Sequence, residues 1–490
     1  MRLPFSSGRL LIIVLLLLCH KPAICQQGTA ADDAMAERIA GAAMMRGGAM
    51  SFLETLTDTV GGRVTGSPQS RAASELILKA LKDAGFENAH IEEYPLGVGW
   101  QRGPASGRVV SPVQQPIIVG SYGWSPGTNG RVSLPLASRA VGADGKLPGD
   151  LTPLRGAAVM VNLEIDSDLS FAPNYVVRRS VVARQLALAG AAAMMIQSEK
   201  PDRMLYTSAA GIYPRAPLPL LSVAREDALF LQRLLAKGEV RIELDIQNTL
   251  NPHPAHERNV AAELPGTNPA EIVLLGAHFD SWEPAQGARD NGAGVAELLE
   301  VARILKSLGV KARSTIRFAF FSGEEQACLG SRAYVDAHKS ELDRHRAVLI
   351  TDDGPQIPLG FVLHGRSDLQ ASTKQILLSL DRLGAGSVSA GGDLSSDDQS
   401  FVVAGVPTLS LDVVQDNYDT QHHTITDTFD KIDPRTLSLD TAVLAVAAYS
   451  IANADQPLGR RFTSTEVNDL LKKTHQLEYV ELDYGRRDSQ

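Results

Sequence analysis

Histidines and carboxylates recur in this chain directly after short apolar runs. Ile272-Val273-Leu274-Leu275 is followed by Gly276-Ala277-His278-Phe279-Asp280, and a glycine-rich stretch then reaches Arg289-Asp290-Asn291-Gly292-Ala293-Gly294. Residues 316–321 precede Ser322-Gly323-Glu324-Glu325, and Val348-Leu349-Ile350 precedes Thr351-Asp352-Asp353-Gly354. Residues 407–411 lead to His422-His423-Thr424-Ile425-Thr426-Asp427-Thr428. Two imidazoles with three or four carboxylates form the donor set that zinc takes, and a carboxylate beyond those needed for coordination is a natural general base. Each group alone is ordinary, since a histidine after a strand is most often a satisfied core or surface group and paired acids are usually solvated. Their joint occurrence after four successive runs carries the reading.

Such residues meet only if the runs are neighbouring parallel strands, because ligands collect beyond the carboxyl ends of an open parallel sheet. After Asn251-Pro252-His253-Pro254 the pattern alternates, with strands expected over 271–277, 315–321, 347–351 and 407–411 and helices over 294–308, 331–338 and 434–454. Continuous apolar strands with helical crossovers predict an α/β fold with a mixed, mostly parallel sheet flanked by helices. From 31 to about 96 the pattern reads as helical, with Leu53, Leu56 and Val60 on one stripe, Leu76, Ala80 and Ala84 on another, and a glycine-rich loop over 61–68 between them. Over 103–249 short β-like runs are separated by Pro and Gly, with helices expected over 181–188 and 225–236, which predicts a second, smaller module.

As an ordered set, Gly-Ala-His278-Phe-Asp280-Ser-Trp, Arg-Asp290-Asn-Gly-Ala-Gly, Ser-Gly-Glu324-Glu325-Gln, Asp352 and His423-Thr-Ile-Thr-Asp427-Thr resembles the co-catalytic di-zinc exopeptidases. The likeness runs from Gly61 to about Asp433. That family contains bacterial secreted aminopeptidases, glutamate carboxypeptidases and, without activity, the transferrin receptor. The resemblance implies the zinc exopeptidase fold and two zinc ions per chain. Asp290 would bridge them, with His278 and Asp352 on one ion, Glu325 and His423 on the other, and Glu324 as general base. It favours His423 over His422 and Asp352 over Asp353, and the alternation of extended chain agrees. Asp280 is expected to fix the His278 tautomer by hydrogen bonding its other ring nitrogen, and Asp397 and Asp427 to support the ligands or meet substrate. Asp398 stands where aminopeptidase members often carry His. The middle module resembles a protease-associated domain through 154–164, 183–197 and 217–223, which implies a cover limiting substrate size.

The resulting partition is a signal peptide over 1–25, an N-terminal part of the peptidase domain over 26–102, the insertion over 103–250, the catalytic part over 251–457 and a charged, peripheral tail over 458–490. The implied activity is that of a secreted or periplasmic metallo-exopeptidase acting on short peptides. On the same fold stand an aminopeptidase, a non-catalytic receptor-like protein and a single-zinc acyl transfer enzyme of the glutaminyl cyclase kind.

With 490 residues, 44% of them apolar and 21% charged, the chain has an ordinary globular composition. Arg2 and Arg9 precede an apolar run over 10–19, too short to span a bilayer but suited to a signal peptide. No later run approaches the length of a membrane span, so stable membrane insertion is not expected. Without Arg2, Arg9 and Lys21 the balance is 44 basic against 56 acidic residues, a formal −12. That acidity, with no basic cluster interleaved with aromatics, argues against nucleic-acid binding. Only Cys328 remains after the signal peptide, so no internal disulfide is available. A homodimer is the remaining expected association.

Overall fold

The structure, a computed structural model, describes residues 30–142, 144–163, 173–211, 215–352, 354–414 and 418–488. The signal-peptide segment 1–25 and Asp353 lie outside them.

Among the described residues, sixteen strands form two sheets. Strand β1 (His90–Gln101) is followed by β2 (Ala105–Ser111), β3 (Gln115–Ile117), β4 (Val119–Ser121), β5 (Val132–Ala140), β6 (Ala158–Asn162), β7 (Ala193–Gln197), β8 (Leu220–Val223) and β9 (Arg241–Ile246). Then come β10 (Thr249–Leu264), β11 (Asn268–His278), β12 (Ser314–Phe321), β13 (His345–Ile350), β14 (Pro358–Val362), β15 (Ser387–Ser389) and β16 (Thr408–Val413). The larger sheet has the order β1-β10-β12-β11-β13-β16-β14-β15, and residues 105–246 make the other, in the order β3-β2-β9-β5-β6-β7-β8-β4.

In the larger sheet β12, β11, β13 and β16 are mutually parallel, flanked by antiparallel pairings of β10 with β12 and of β14 with β16. All eight residues of β12 and all six of β13 are buried, as strands covered on both faces must be. Side chains alternate between two cores. Val273, Leu275, Phe318 and Phe320 pack with Val301 and Ile304 of the helix Ala293–Ser307 and with Val443, Ala447 and Ile451 of the helix Pro434–Asn453. Leu274, Ala319, Phe321, Val348 and Ile350 face Tyr334, Phe401 and Val406 on the other side. Each of the Val, Leu, Ile and Phe side chains among them contributes about 1.5–3 kcal/mol when fully buried.

Three expectations are corrected. Residues 90–101 are a strand rather than the end of a helical region. Tyr94 and Leu96 are buried while Pro95 and Gly97 disfavour a helix, and register shifts at Pro95/Gly97 and Val98/Gly99 absorb them at the sheet edge. Within the segment 458–490, expected to be a peripheral tail, the described residues to Asp488 are packed against the catalytic part. The helices Ser464–Lys473 and Leu477–Asp488 place Val467, Leu470, Leu471 and Val480 against Leu394 and Val402, and Arg332 meets Asp483 in a buried ion pair at 3.2 Å. By length and composition the helix Pro434–Asn453 could cross a membrane, but 72% of its most apolar window is buried inside the protein.

Candidate metal centre

The register of the parallel strands sets the site. His278, the last residue of β11, lies opposite Phe321, the last of β12, so the turn carrying Glu324 and Glu325 begins beside it. Gly276 of β11 pairs with Ile350 of β13, which brings Asp352 to the same edge. Asp290 arrives on the loop after β11, and His423 on the segment after β16.

Five of the expected side chains converge. His278 Nε2 is 2.8 Å from Asp352 Oδ1 and 3.4 Å from Asp290 Oδ1. His423 Nε2 is 3.0 Å from Glu325 Oε2 and 3.4 Å from Asp290 Oδ2. Asp290 therefore turns one oxygen to each histidine. His422 stacks on His423 with ring centroids 3.8 Å apart and brings its own Nε2 to 3.7 Å from Asp290 Oδ2. His278, Asp290 and Asp352 form one group able to hold a metal ion, and Asp290 with the two adjacent histidines forms another.

Two acids hold this arrangement from behind. Asp280 is fully buried, and its carboxylate accepts the Thr65 hydroxyl at 2.7 Å and the backbone N–H groups of Glu324 and Glu325 at 3.3 Å each. The expectation for Asp280 needs correcting in its atoms. His278 Nδ1 meets the main-chain carbonyl of Asp280 at 3.0 Å, while the carboxylate stands 3.5 Å away, drawn instead to the turn of the acid pair. Asp427 accepts from the backbone N–H groups of Arg289, at 2.7 Å, and Asp290, at 3.2 Å. Asp397 is fully buried, and neither of its carboxylate oxygens has a hydrogen-bond partner.

Sequence reasoning missed Arg63, which is fully buried. Its guanidinium donates to the carbonyls of Phe279 at 2.6 Å, Gly61 at 2.9 Å, Gln286 at 2.7 Å and Gly287 at 2.7 Å, and so ties the glycine-rich loop of residues 61–66 to the segment between His278 and Asp290. Gly287 must be glycine, because its φ is +60° and a Cβ there would meet Ser281 and, at 2.9 Å, Arg63 Nη2. A charged residue inside Gly61-Gly62-Arg63 was the available signal, but three of its four partners lie more than 200 positions away. Asn291 was missed too. It donates from Nδ2 to the Thr351 carbonyl at 2.8 Å and accepts the Gly294 N–H at 3.1 Å, tying the Asp290 loop to the end of β13.

The segment between β7 and β8 also reaches the site. Thr207 N–H donates to the His423 carbonyl at 3.1 Å, and the Tyr206 ring lies 5.4 Å from the His423 ring. His423 itself sits at φ +57°, a conformation rare outside glycine that this contact helps to hold. Trp282 packs with Trp100 and Trp124, and its indole N–H donates to Glu325 Oε2.

Burial with too little neutralising charge dominates the electrostatics. Burial pushes Glu324 and Glu325 well above the usual carboxylate range, with neighbouring carboxylates adding to it. Burial also raises Asp352, and takes Asp397 and Asp427 up to about 7. Burial disfavours charge on His278, but Asp352, Asp280 and Asp290 outweigh it and hold the imidazole well above its usual value. For Asp290 the histidines outweigh burial and keep it below the usual range. His423 is pushed down to about 4, by burial first.

Metal cations fit these atoms. With its Nδ1–H committed to the Asp280 carbonyl, His278 turns Nε2 toward one oxygen each of Asp352 and Asp290, and a metal cation among these atoms would take the place of the proton that the raised imidazole otherwise holds there. Glu325 Oε1 is buried with no hydrogen-bond partner, which suits a ligand oxygen.

The model of the peptidase family M28 matches residues 259–448. Carboxypeptidase Q of Mus musculus is 30% identical over 426 residues, covering 83% of this chain and 86% of that protein. A probable lipoprotein aminopeptidase of Mycobacterium tuberculosis is 25% identical over 461 residues, covering 84% and 85%. A peptidase M28 precursor from Shewanella amazonensis has a similar solved structure, with a TM-score of 0.75 and 26% identity over 88% of this chain and 99% of that one. A zinc aminopeptidase from Bacillus subtilis shares the fold at a TM-score of 0.64 and 20% identity, covering 84% and 97%. The chain belongs to peptidase family M28, and it is a metallopeptidase.

Proposed function

We propose that the chain is an exported exopeptidase with two zinc ions, hydrolysing peptide bonds in short peptides and in unblocked dipeptides. The observation that carries this is the placement of Asp290, whose two oxygens each face a different histidine at 3.4 Å. His278 and Asp352 would hold one ion, Glu325 and His423 the other, and Asp290 both. When bound, zinc supplies Lewis acidity that makes water a nucleophile near neutral pH and offsets charge developing on the carbonyl oxygen.

The chain's own groups do the rest. Glu324 stands beside the converging set without joining it, on a turn whose N–H groups Asp280 holds. Its carboxylate accepts a proton from the attacking water and returns it to the leaving amine. Asp427 and Arg63 keep Asp290 in register. Tyr206 and Thr207, pressed on His423 from the smaller module, close one side of the site, which favours a short peptide over a folded chain. The likeness to carboxypeptidase Q, together with Asp398 where aminopeptidase members often carry His, favours free dipeptides over aminoacyl anilides. The apolar leader over 1–25 supports export.

Product analysis on dipeptides that are free or blocked at either end, alongside an aminoacyl anilide and casein, tests the activity. Elemental analysis tests the metal. Free dipeptides should be cleaved, with about two zinc ions per chain. Rapid anilide cleavage with little action on dipeptides would favour an aminopeptidase, and a zinc-free, inactive protein that added zinc does not restore would end the enzyme reading.

A further inference from the structure

Beside the metal centre lies a cavity of about 240 Å³ whose lining includes Asp352, His364, Asp393, Asp398, Ser410 and Asp412. Asp352 also faces His278, so the cavity adjoins the centre itself.

Its hydrogen-bond donors do not suffice. His364 Nδ1 lies 3.1 Å from the Asp393 carbonyl, which can only accept, so the ring proton sits there and Nε2 keeps a lone pair. That nitrogen is 3.0 Å from Ser410 Oγ, and Ser410 Oγ is 3.3 Å from Asp398 Oδ2. With Asp398 ionised, one hydroxyl proton thus faces two acceptors, and burial, with Asp352 nearby, accordingly pushes that carboxyl up to about 8. Asp398 Oδ1 has no partner at all, although the residue is only 3% exposed. No positive charge compensates: burial pushes His364 down to about 4, and no Lys or Arg lines the cavity among the described residues. A buried carboxylate short of donors is costly, and a ligand bringing several N–H groups with a positive charge removes that cost.

Resting on the peptidase reading above, we propose that this cavity is a subsite for an ammonium or guanidinium group of the substrate, with Asp398 as its counter-ion. The group has two sources, a Lys or Arg side chain next to the scissile bond or the peptide's own α-ammonium.

The test compares kcat/KM of the zinc-loaded enzyme for Lys-Ala, Ala-Lys and their norleucine counterparts, each with a free or acetylated amino end. Norleucine keeps the aliphatic chain and removes the charge. For a side-chain source, Lys at one position should exceed norleucine by at least about tenfold, and Asp398→Asn should bring the ratio to roughly one. For an α-ammonium source, acetylation should lower kcat/KM by at least about tenfold in the native enzyme and far less in Asp398→Asn. Ser410→Ala, which keeps the carboxylate, should retain the preference. On the native enzyme, n-butylamine should inhibit hydrolysis of a neutral dipeptide more tightly than n-butanol, a comparison that does not depend on the folding of any variant. Equal inhibition by the two, or ratios that Asp398→Asn leaves unchanged in both arms, would overturn the subsite alone. If the zinc-loaded enzyme cleaves no dipeptide, the peptidase reading falls and takes the subsite with it.

Discussion

Arg63→Lys isolates the role of one buried cation that touches no ligand atom. The guanidinium makes four hydrogen bonds of 2.6–2.9 Å, from three nitrogens, to carbonyls of Gly61, Phe279, Gln286 and Gly287. An ammonium is a single point on a flexible stem and reaches two of these carbonyls at most. Two of the four carbonyls lose the Arg63 donor, at about 1–3 kcal/mol for each that keeps no other, so the variant should lose about 1–6 kcal/mol. That is a large part of a typical stability of about 5–15 kcal/mol. The loss falls on the segment that carries Asp290, so zinc affinity should drop by about 10–100-fold, the usual effect of removing a group that orients a ligand. Denaturant unfolding with and without zinc, and metal titration against a competing chelator, measure the two effects. Stability within about 1 kcal/mol of the native protein, with unchanged zinc affinity, would refute the assignment of Arg63 as the clamp of this loop.

Glu324→Gln should keep the metal and the fold while losing about a hundredfold to ten-thousandfold in kcat, whereas Glu325→Gln should lose zinc; equal zinc loss in both, by elemental analysis, would reverse their roles. His423→Ala should lose zinc and His422→Ala retain it, since only His423 also faces Glu325, and the opposite pattern would give the ligand position to His422. His345 bears on pH. Burial holds it at about 4 against an ordinary 6.5, and its Nε2 has no partner. Because the folded value is the depressed one, the folded state refuses a proton that the unfolded state accepts. Stability is therefore unaffected above about pH 6.5 and falls as pH drops toward 4, by up to about 3 kcal/mol. Stability measured across that window should fall less steeply in His345→Asn, and parallel curves would count against the shift.

The site was legible in the sequence because its residues follow strands whose apolar runs are continuous, and a parallel sheet brings the ends of such strands together whatever lies between them. His278 and the Glu324-Glu325 pair needed only the register of β11 on β12 to become neighbours. What escaped was set by tertiary contacts that leave no local pattern. Strand β1 reads poorly because Pro95 and Gly97 break its alternation, and only the pairing of His90–Gln101 with β10 makes it a strand. The 458–490 segment looks solvated because its charges dominate, yet Arg332 buries the charge of Asp483, and Val467, Leu470 and Leu471 lie on one helix face. That face packs against Leu394 and Val402, which bracket Asp397 and Asp398 in the chain. The terminal helices thus brace the wall of the cavity beside the metal centre, as residues 206–207 brace His423 from the opposite module. Two segments distant in sequence from all five converging side chains therefore shape the space beside the proposed metal centre. Substrate preference in this chain is to be sought in such walls rather than in the five converging side chains.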